Sequence, residues 1–219
     1  MHLLLDVSRY FPAGCAIIAA IIGSIRQKEF DTASRIYWYY TCAGAIAEVV
    51  ARMAAIEFGN NMAVYAVYSP IELLLICLYF NFSIPTLRRT GIGWYLAILG
   101  IVVSVLNAVF FQPLTEFNSN FLYFEGIVII GLSLYSFYHL VRSSDDLRLA
   151  KLRHFWFPFI QCAFWTITFL NWGLYEYFNA HAQRFVVAIN IFIGMISGVT
   201  YLCIALVFWQ YPKLKPTDE

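Results

Sequence analysis

The sequence predicts an all-α polytopic membrane protein: a bundle of seven transmembrane helices, N-terminus outside and C-terminus cytoplasmic. Three observations predict it. Seven stretches are long and apolar enough to cross hydrocarbon. Basic residues gather in alternate connectors. Of 219 residues, 61% are hydrophobic and 12% charged, against about 45–50% and about 25% in a soluble domain.

A membrane helix needs about 20 mostly apolar residues to cross about 30 Å of hydrocarbon. The first span runs from about Arg9 to Ile25, the second from Ile36 to Phe58 and the third from Met62 to Phe82. The fourth covers Gly93 to Phe111, the fifth Asn118 to Leu140, the sixth Phe155 to Phe178 and the seventh Phe185 to Trp209. The runs are continuously apolar, whereas strands of a membrane barrel alternate. The connectors are short, so the reading is a single domain over residues 1–219. Only Val141 to His154 is long enough to hold extra structure.

Orientation follows from the excess of Lys and Arg on cytoplasmic loops. Arg26, Lys28 and Arg35 follow the first span, Arg88 and Arg89 the third, and Arg142, Arg148, Lys151 and Arg153 the fifth; Lys213 and Lys215 are in the tail. Only Arg9 and Arg184 fall on the other side, with Arg52 inside a span. Tyr37, Trp38, Tyr39 and Tyr40, Trp94 and Tyr95, Phe155 and Trp156, and Trp209 and Tyr211 then fall at inner ends, read as interfacial anchors. The net charge of +1 gives no basic surface for nucleic acid.

Charge inside hydrocarbon costs about 2.5–3.5 kcal/mol even on lenient scales, so such residues are functional pointers. They are Glu48 and Arg52 in the second span, Glu72 in the third, Glu125 in the fifth and Glu176 in the sixth; Asn107, Asn171 and Asn190 join them. Nearly all lie in the outer half. The asymmetry predicts a polar cavity open to the exterior and closed toward the cytoplasm, with these eight residues as its candidate lining. Each also has a structural reading. Glu48 and Arg52, four residues apart, can neutralise each other on one helix face. The asparagines can serve as interhelical glue. The connector Gln112 to Asn120, rich in amides and hydroxyls, is either a cap over the cavity or a solvated turn.

Other chemistries find no support. The seventh span has no lysine for a retinal Schiff base. His2, His139, His154 and His181 lie at helix ends or outside, away from a zinc set inside the bundle. Nucleotide-binding glycine loops are absent. The five cysteines sit in apolar runs without CxxC spacing, as packing residues do. No cofactor is called for, and an enzyme is the weaker reading.

Asn60-Asn61, Tyr65, Tyr68-Ser69-Pro70-Ile71-Glu72-Leu73-Leu74, Leu106 to Leu114 and Phe117-Asn118-Ser119, with Glu48 and Glu125, carry a resemblance. On these residues the chain resembles a group of uncharacterised small seven-helix bacterial membrane proteins. The resemblance implies Glu48, Glu72, Asn107 and Glu125 as a shared polar set, and implies no chemistry.

The expected function is a receptor or sensor-like module of the bacterial cytoplasmic membrane. It would bind a small molecule from the outer side and contact a cytoplasmic protein through Arg142–Arg153. The alternatives are a small-solute transporter, proton-coupled through Glu72 or Glu125, and a non-catalytic assembly subunit. The topology has a direct check. A fluorescent protein fused after Lys215 should fluoresce, and alkaline phosphatase fused there should be inactive; the reverse pattern contradicts the predicted orientation.

Overall fold

A computed structural model describes residues 2–143, 149–181 and 183–215. The described chain is 91% helix, with no strand in a sheet. In chain order the helices are α1 His2–Arg26, α2 Thr32–Phe58, α3 Met62–Ser83, α4 Pro85–Thr90, α5 Ile92–Phe110, α6 Ser119–Ser143, α7 Arg153–His181 and α8 Gln183–Gln210. Five of them (α1, α3, α5, α6 and α8) are long and apolar enough to cross a membrane. At 27 and 29 residues α2 and α7 have the length but are more polar. The reason is visible in α2, which carries Tyr40, Glu48 and Arg52. The short α4 occupies a connector that the sequence reading left bare; Pro85 starts it and Gly91 ends it.

Packing closes a ring. α1 lies against α2 and α8, α2 against α3, α3 against α6, α6 against α7, and α7 against α8. α5 stands outside this ring, packed on α3 and α6. Its outer side exposes Ile98, Leu99, Val102, Val105, Leu106 and Val109. An apolar surface of this kind needs a nonaqueous neighbour, and the lipid bilayer supplies one.

At the end of the bundle where α2 begins, aromatic side chains fill the centre. Tyr37 stacks on Phe157 with centroids 4.1 Å apart. Tyr79 meets both edge-on at 5.1 and 5.8 Å, and Phe208 packs on Phe157 at 5.5 Å. Gln161 Nε2 donates to the Tyr37 hydroxyl at 2.8 Å, so this layer holds its one buried amide in place. Tyr37 and Tyr40 are therefore buried core residues, not interfacial anchors, whereas Tyr39 on the same turn is exposed.

Below the aromatic layer lies a polar junction. Asp31 caps α2, accepting from the Ser34 backbone N–H at 2.7 Å. His154 Nε2 meets the Asp31 carboxylate at 3.0 Å, and the other ring nitrogen lies 3.4 Å from the Tyr79 hydroxyl. The Ser34 hydroxyl donates to Tyr211 Oη at 3.1 Å, tying the C-terminal segment to α2. The loop between α6 and α7 is partly engaged by this segment. Lys215 N–H donates to the Lys151 carbonyl at 2.8 Å, and Arg153 N–H to the Lys215 carbonyl at 3.0 Å. Arg153 also lies 4.8 Å from the Tyr211 ring centre. Residues 144–148, within the expected partner-binding stretch, lie outside the described residues.

Burial pushes the Asp31 carboxyl up, but the His154 hydrogen bond and charge, with the Ser34 contacts, outweigh it and hold the group well below the usual range. A carboxyl depressed on folding contributes stability that is present above its unfolded value, about 3.9, and is lost as pH falls below it. Thermal unfolding in detergent should therefore show a melting temperature that drops as pH falls below about 4. Asp31→Asn should flatten that acid limb; an unchanged limb contradicts the assignment.

Candidate functional site

A cavity of about 500 Å³ lies inside the helix ring. Its lining comes from α1, α2, α3, α6, α7, α8 and the α5–α6 connector, with no residue from α5. At one end it reaches Ser8, Asn61 and Phe117–Asn118, near the starts of α1, α3 and α6. At the other it reaches Tyr40, whose ring touches Tyr37 of the aromatic layer at 5.1 Å.

Helical spacing produces the polar lining. On α2, Tyr40, Gly44, Glu48 and Arg52 recur every four residues and share a face. Glu48 and Arg52 line the cavity, with Tyr40 below them. Tyr65, Tyr68, Ser69 and Glu72 make the matching stripe on α3. α8 contributes Asn190, Ser197 and Tyr201 at intervals of seven and four. Pro70 lacks an N–H, so the carbonyl of cavity-lining Ala66 loses its helical donor.

The contacts within the lining leave groups unused. The Tyr65 hydroxyl donates to Glu48 at 3.4 Å. No ion pair joins Glu48 to Arg52 among the described residues. The Arg52 charge still acts on Glu48 across a longer distance, alongside the tyrosine contact. Arg52 Nε and Trp165 Nε1 are buried without a hydrogen-bond partner. A buried unpaired polar atom costs about 1–3 kcal/mol, so two such atoms on one cavity point to an occupant that pairs with them. Glu72 sits beside the hydroxyls of Tyr40 and Tyr68.

Of the eight candidates, Glu48, Arg52, Glu72 and Asn190 line the cavity. Glu125 does not. It is fully buried, both carboxyl oxygens lack a partner, and it interacts electrostatically with Glu72. Asn107 is also outside the lining. Its Nδ2 donates to Asn118 Oδ1 at 2.6 Å and to Gln112 Oε1 at 3.2 Å, and its Oδ1 accepts from Asn120 at 3.2 Å. Gln112 Nε2 donates to Ser119 Oγ at 2.8 Å. Asn107 therefore fastens the connector that presents Phe117 and Asn118 to the cavity. Asn171 donates to its own helix at the Ile167 carbonyl, 2.7 Å away, and is no part of the lining. The Glu176 side chain lies outside the described residues.

The tyrosines are what sequence reasoning missed, because aromatics in a membrane chain were read as anchors. The available signal was their register: Tyr65 and Tyr68 share a face with Glu72, and Tyr40 with Glu48. The buried His154 was missed similarly, since a helix-end position hides its contact with Asp31.

No family model, curated protein or solved structure matches the chain.

Gly44 makes the cavity floor possible. A Cβ there would meet the Tyr201 hydroxyl, with the Tyr68 hydroxyl 3.0 Å away. Gly44→Ala should displace both hydroxyls and cost about 1–3 kcal/mol, read as a lowered melting temperature. A melting temperature equal to that of the wild type contradicts this packing.

Proposed function

We propose that this chain is a receptor-like or sensor-like module of the bacterial cytoplasmic membrane, in which seven helices cross the bilayer and enclose a cavity for a small molecule entering from outside. α2 and α7 cross with the other five. Their polar faces turn into the ring, which is why their overall apolarity is lower. The mouth near Asn61 and Phe117–Asn118 faces the exterior, and the junction at Asp31 and His154 faces the cytoplasm, as the distribution of basic residues favours. The resemblance to small seven-helix bacterial membrane proteins agrees with this arrangement.

The observation that carries the reading is a cavity lined by unpartnered buried polar atoms above a packed aromatic layer. A blind cavity suits recognition, and Lys151 and Arg153 with the C-terminal segment docked on them offer a basic surface to a cytoplasmic protein. One observation favours a proton-coupled transporter as the second reading: Glu125 lies buried and unpartnered where it interacts with Glu72. An acid pair of this kind can hold and release a proton during transport.

A thermal-shift screen of purified protein against small metabolites and lipids tests the reading, because a molecule that binds only the folded state raises its melting temperature. At least one hit that disappears in Glu72→Gln is expected, with no uptake of that compound into proteoliposomes. Uptake or counterflow of the compound selects the transporter instead. No hit from a broad library overturns both and leaves the assembly subunit.

A further inference from the structure

The cavity's chemistry narrows its occupant. Charge is the first constraint. Glu48 and Glu72 line the cavity and Glu125 lies behind it, whereas Arg52 is the single described lysine or arginine in the lining. An acidic excess held among helices attracts a cation, because the low-dielectric walls screen it less than open water would. Aromatic side chains are the second constraint. Tyr40, Tyr68 and Tyr201 surround the level of Glu72 and Gly44, and Trp165 stands in the same wall. Aromatic rings beside carboxylates suit ammonium groups, which gain from both.

The third constraint comes from unused donors. Arg52 Nε–H and Trp165 Nε1–H can only donate, and neither has an acceptor. Trp165 is 2% exposed. Arg52 lies four residues beyond Glu48 on the same helix face, a rise of about 6 Å. A ligand that satisfies the cavity therefore bears positive charge at one point and a hydrogen-bond acceptor about one helical turn away.

Building on the small-molecule reading above, we propose that the cavity binds a small ammonium compound that also carries a hydrogen-bond acceptor, of the amino-alcohol or amino-acid class. Its ammonium group sits between Glu48 and Glu72, which interact with each other across α2 and α3. Its acceptor takes the free Nε–H of Arg52, one turn beyond Glu48. A neutral polyol would satisfy the donors but leave the acids unmatched, and an anion would add to their repulsion.

The test is binding to purified full-length protein in lipid nanodiscs, by calorimetry, with four probes: choline, glycine betaine, tetramethylammonium and the uncharged carbon isostere of choline. Choline and betaine should bind about tenfold or more tighter than the uncharged isostere. Tetramethylammonium, which lacks an acceptor, should bind more weakly than choline. Glu72→Gln should weaken choline about tenfold or more, and Arg52→Gln should erase the preference for choline over tetramethylammonium. Ser197→Trp, which fills the cavity, should abolish binding of every probe while the variant still melts cooperatively. Equal binding of choline and its uncharged isostere overturns the ammonium assignment. If neutral sugars or organic anions bind instead, and Ser197→Trp abolishes that binding, the ligand class is wrong and the cavity reading survives. If no probe and no compound of any class binds, both fail.

Discussion

Charge facing lipid costs about 2.5–3.5 kcal/mol per residue even on lenient scales, and that cost organises the whole bundle. The polar stripes of α2, α3 and α8 must turn inward, so the helices carrying them close into a ring with the apolar residues outside. α5, whose one deeply placed amide is Asn107, is the helix left outside that ring. Once the stripes face inward, their side chains are too polar to pack as a dry core, and a cavity remains between them. The same constraint explains why the other end is aromatic. Tyr37, Tyr79, Phe157 and Phe208 carry enough apolar surface to fill the ring, and the few hydroxyls among them find partners such as Gln161 and His154.

The two ends of the bundle divide the work. The end near Asn61 and Asn118 is held by amides. Asn107, Gln112, Asn118 and Asn120 bond to one another and fix the connector between α5 and α6, and Asn60 Nδ2 reaches across to the Thr115 carbonyl at 3.0 Å. The end near Asp31 is held by contacts to that carboxylate and to Tyr211, with His154, Ser34 and Tyr211 joining α2, α7 and the C-terminal segment. A ligand that draws α2 and α3 together around Glu48, Tyr65 and Glu72 would press on the aromatic layer through Tyr40 and Tyr37. That layer rests directly on the junction at His154 and Asp31, which gives the cavity a mechanical path to the opposite end of the bundle.

How much was legible in the sequence depends on what each residue must satisfy. Glu48, Arg52, Glu72 and Asn190 stand out because ionised or amide groups in hydrocarbon have few other reasons to be there, and all four reach the cavity. Asn107 stands out equally, but its side-chain partners are five to thirteen residues along a connector whose path no periodicity reveals. Asn171 finds its acceptor one turn back on its own helix, so its polarity says nothing about a site. Tyrosine is ambiguous in a membrane chain: one residue type anchors at interfaces, as exposed Tyr39 and Tyr95 do, and lines cavities, as Tyr65 and Tyr201 do. Five helices are apparent as candidate spans from apolarity alone, whereas α2 and α7 have the length but not the apolarity, and in α2 the polar residues Tyr40, Glu48 and Arg52 line the cavity.

The most direct test of the account is whether the cavity communicates with the exterior and is sealed from the cytoplasm by the aromatic layer. Ser197→Cys, in a chain with the five native cysteines replaced, puts one thiol in the cavity wall. A membrane-impermeant thiol reagent added to intact cells should label it, and the same reagent added to the medium outside inverted vesicles, where it meets only the cytoplasmic face, should leave it unlabelled. Labelling from the cytoplasmic face alone, or from neither face in a folded protein, would contradict the central claim.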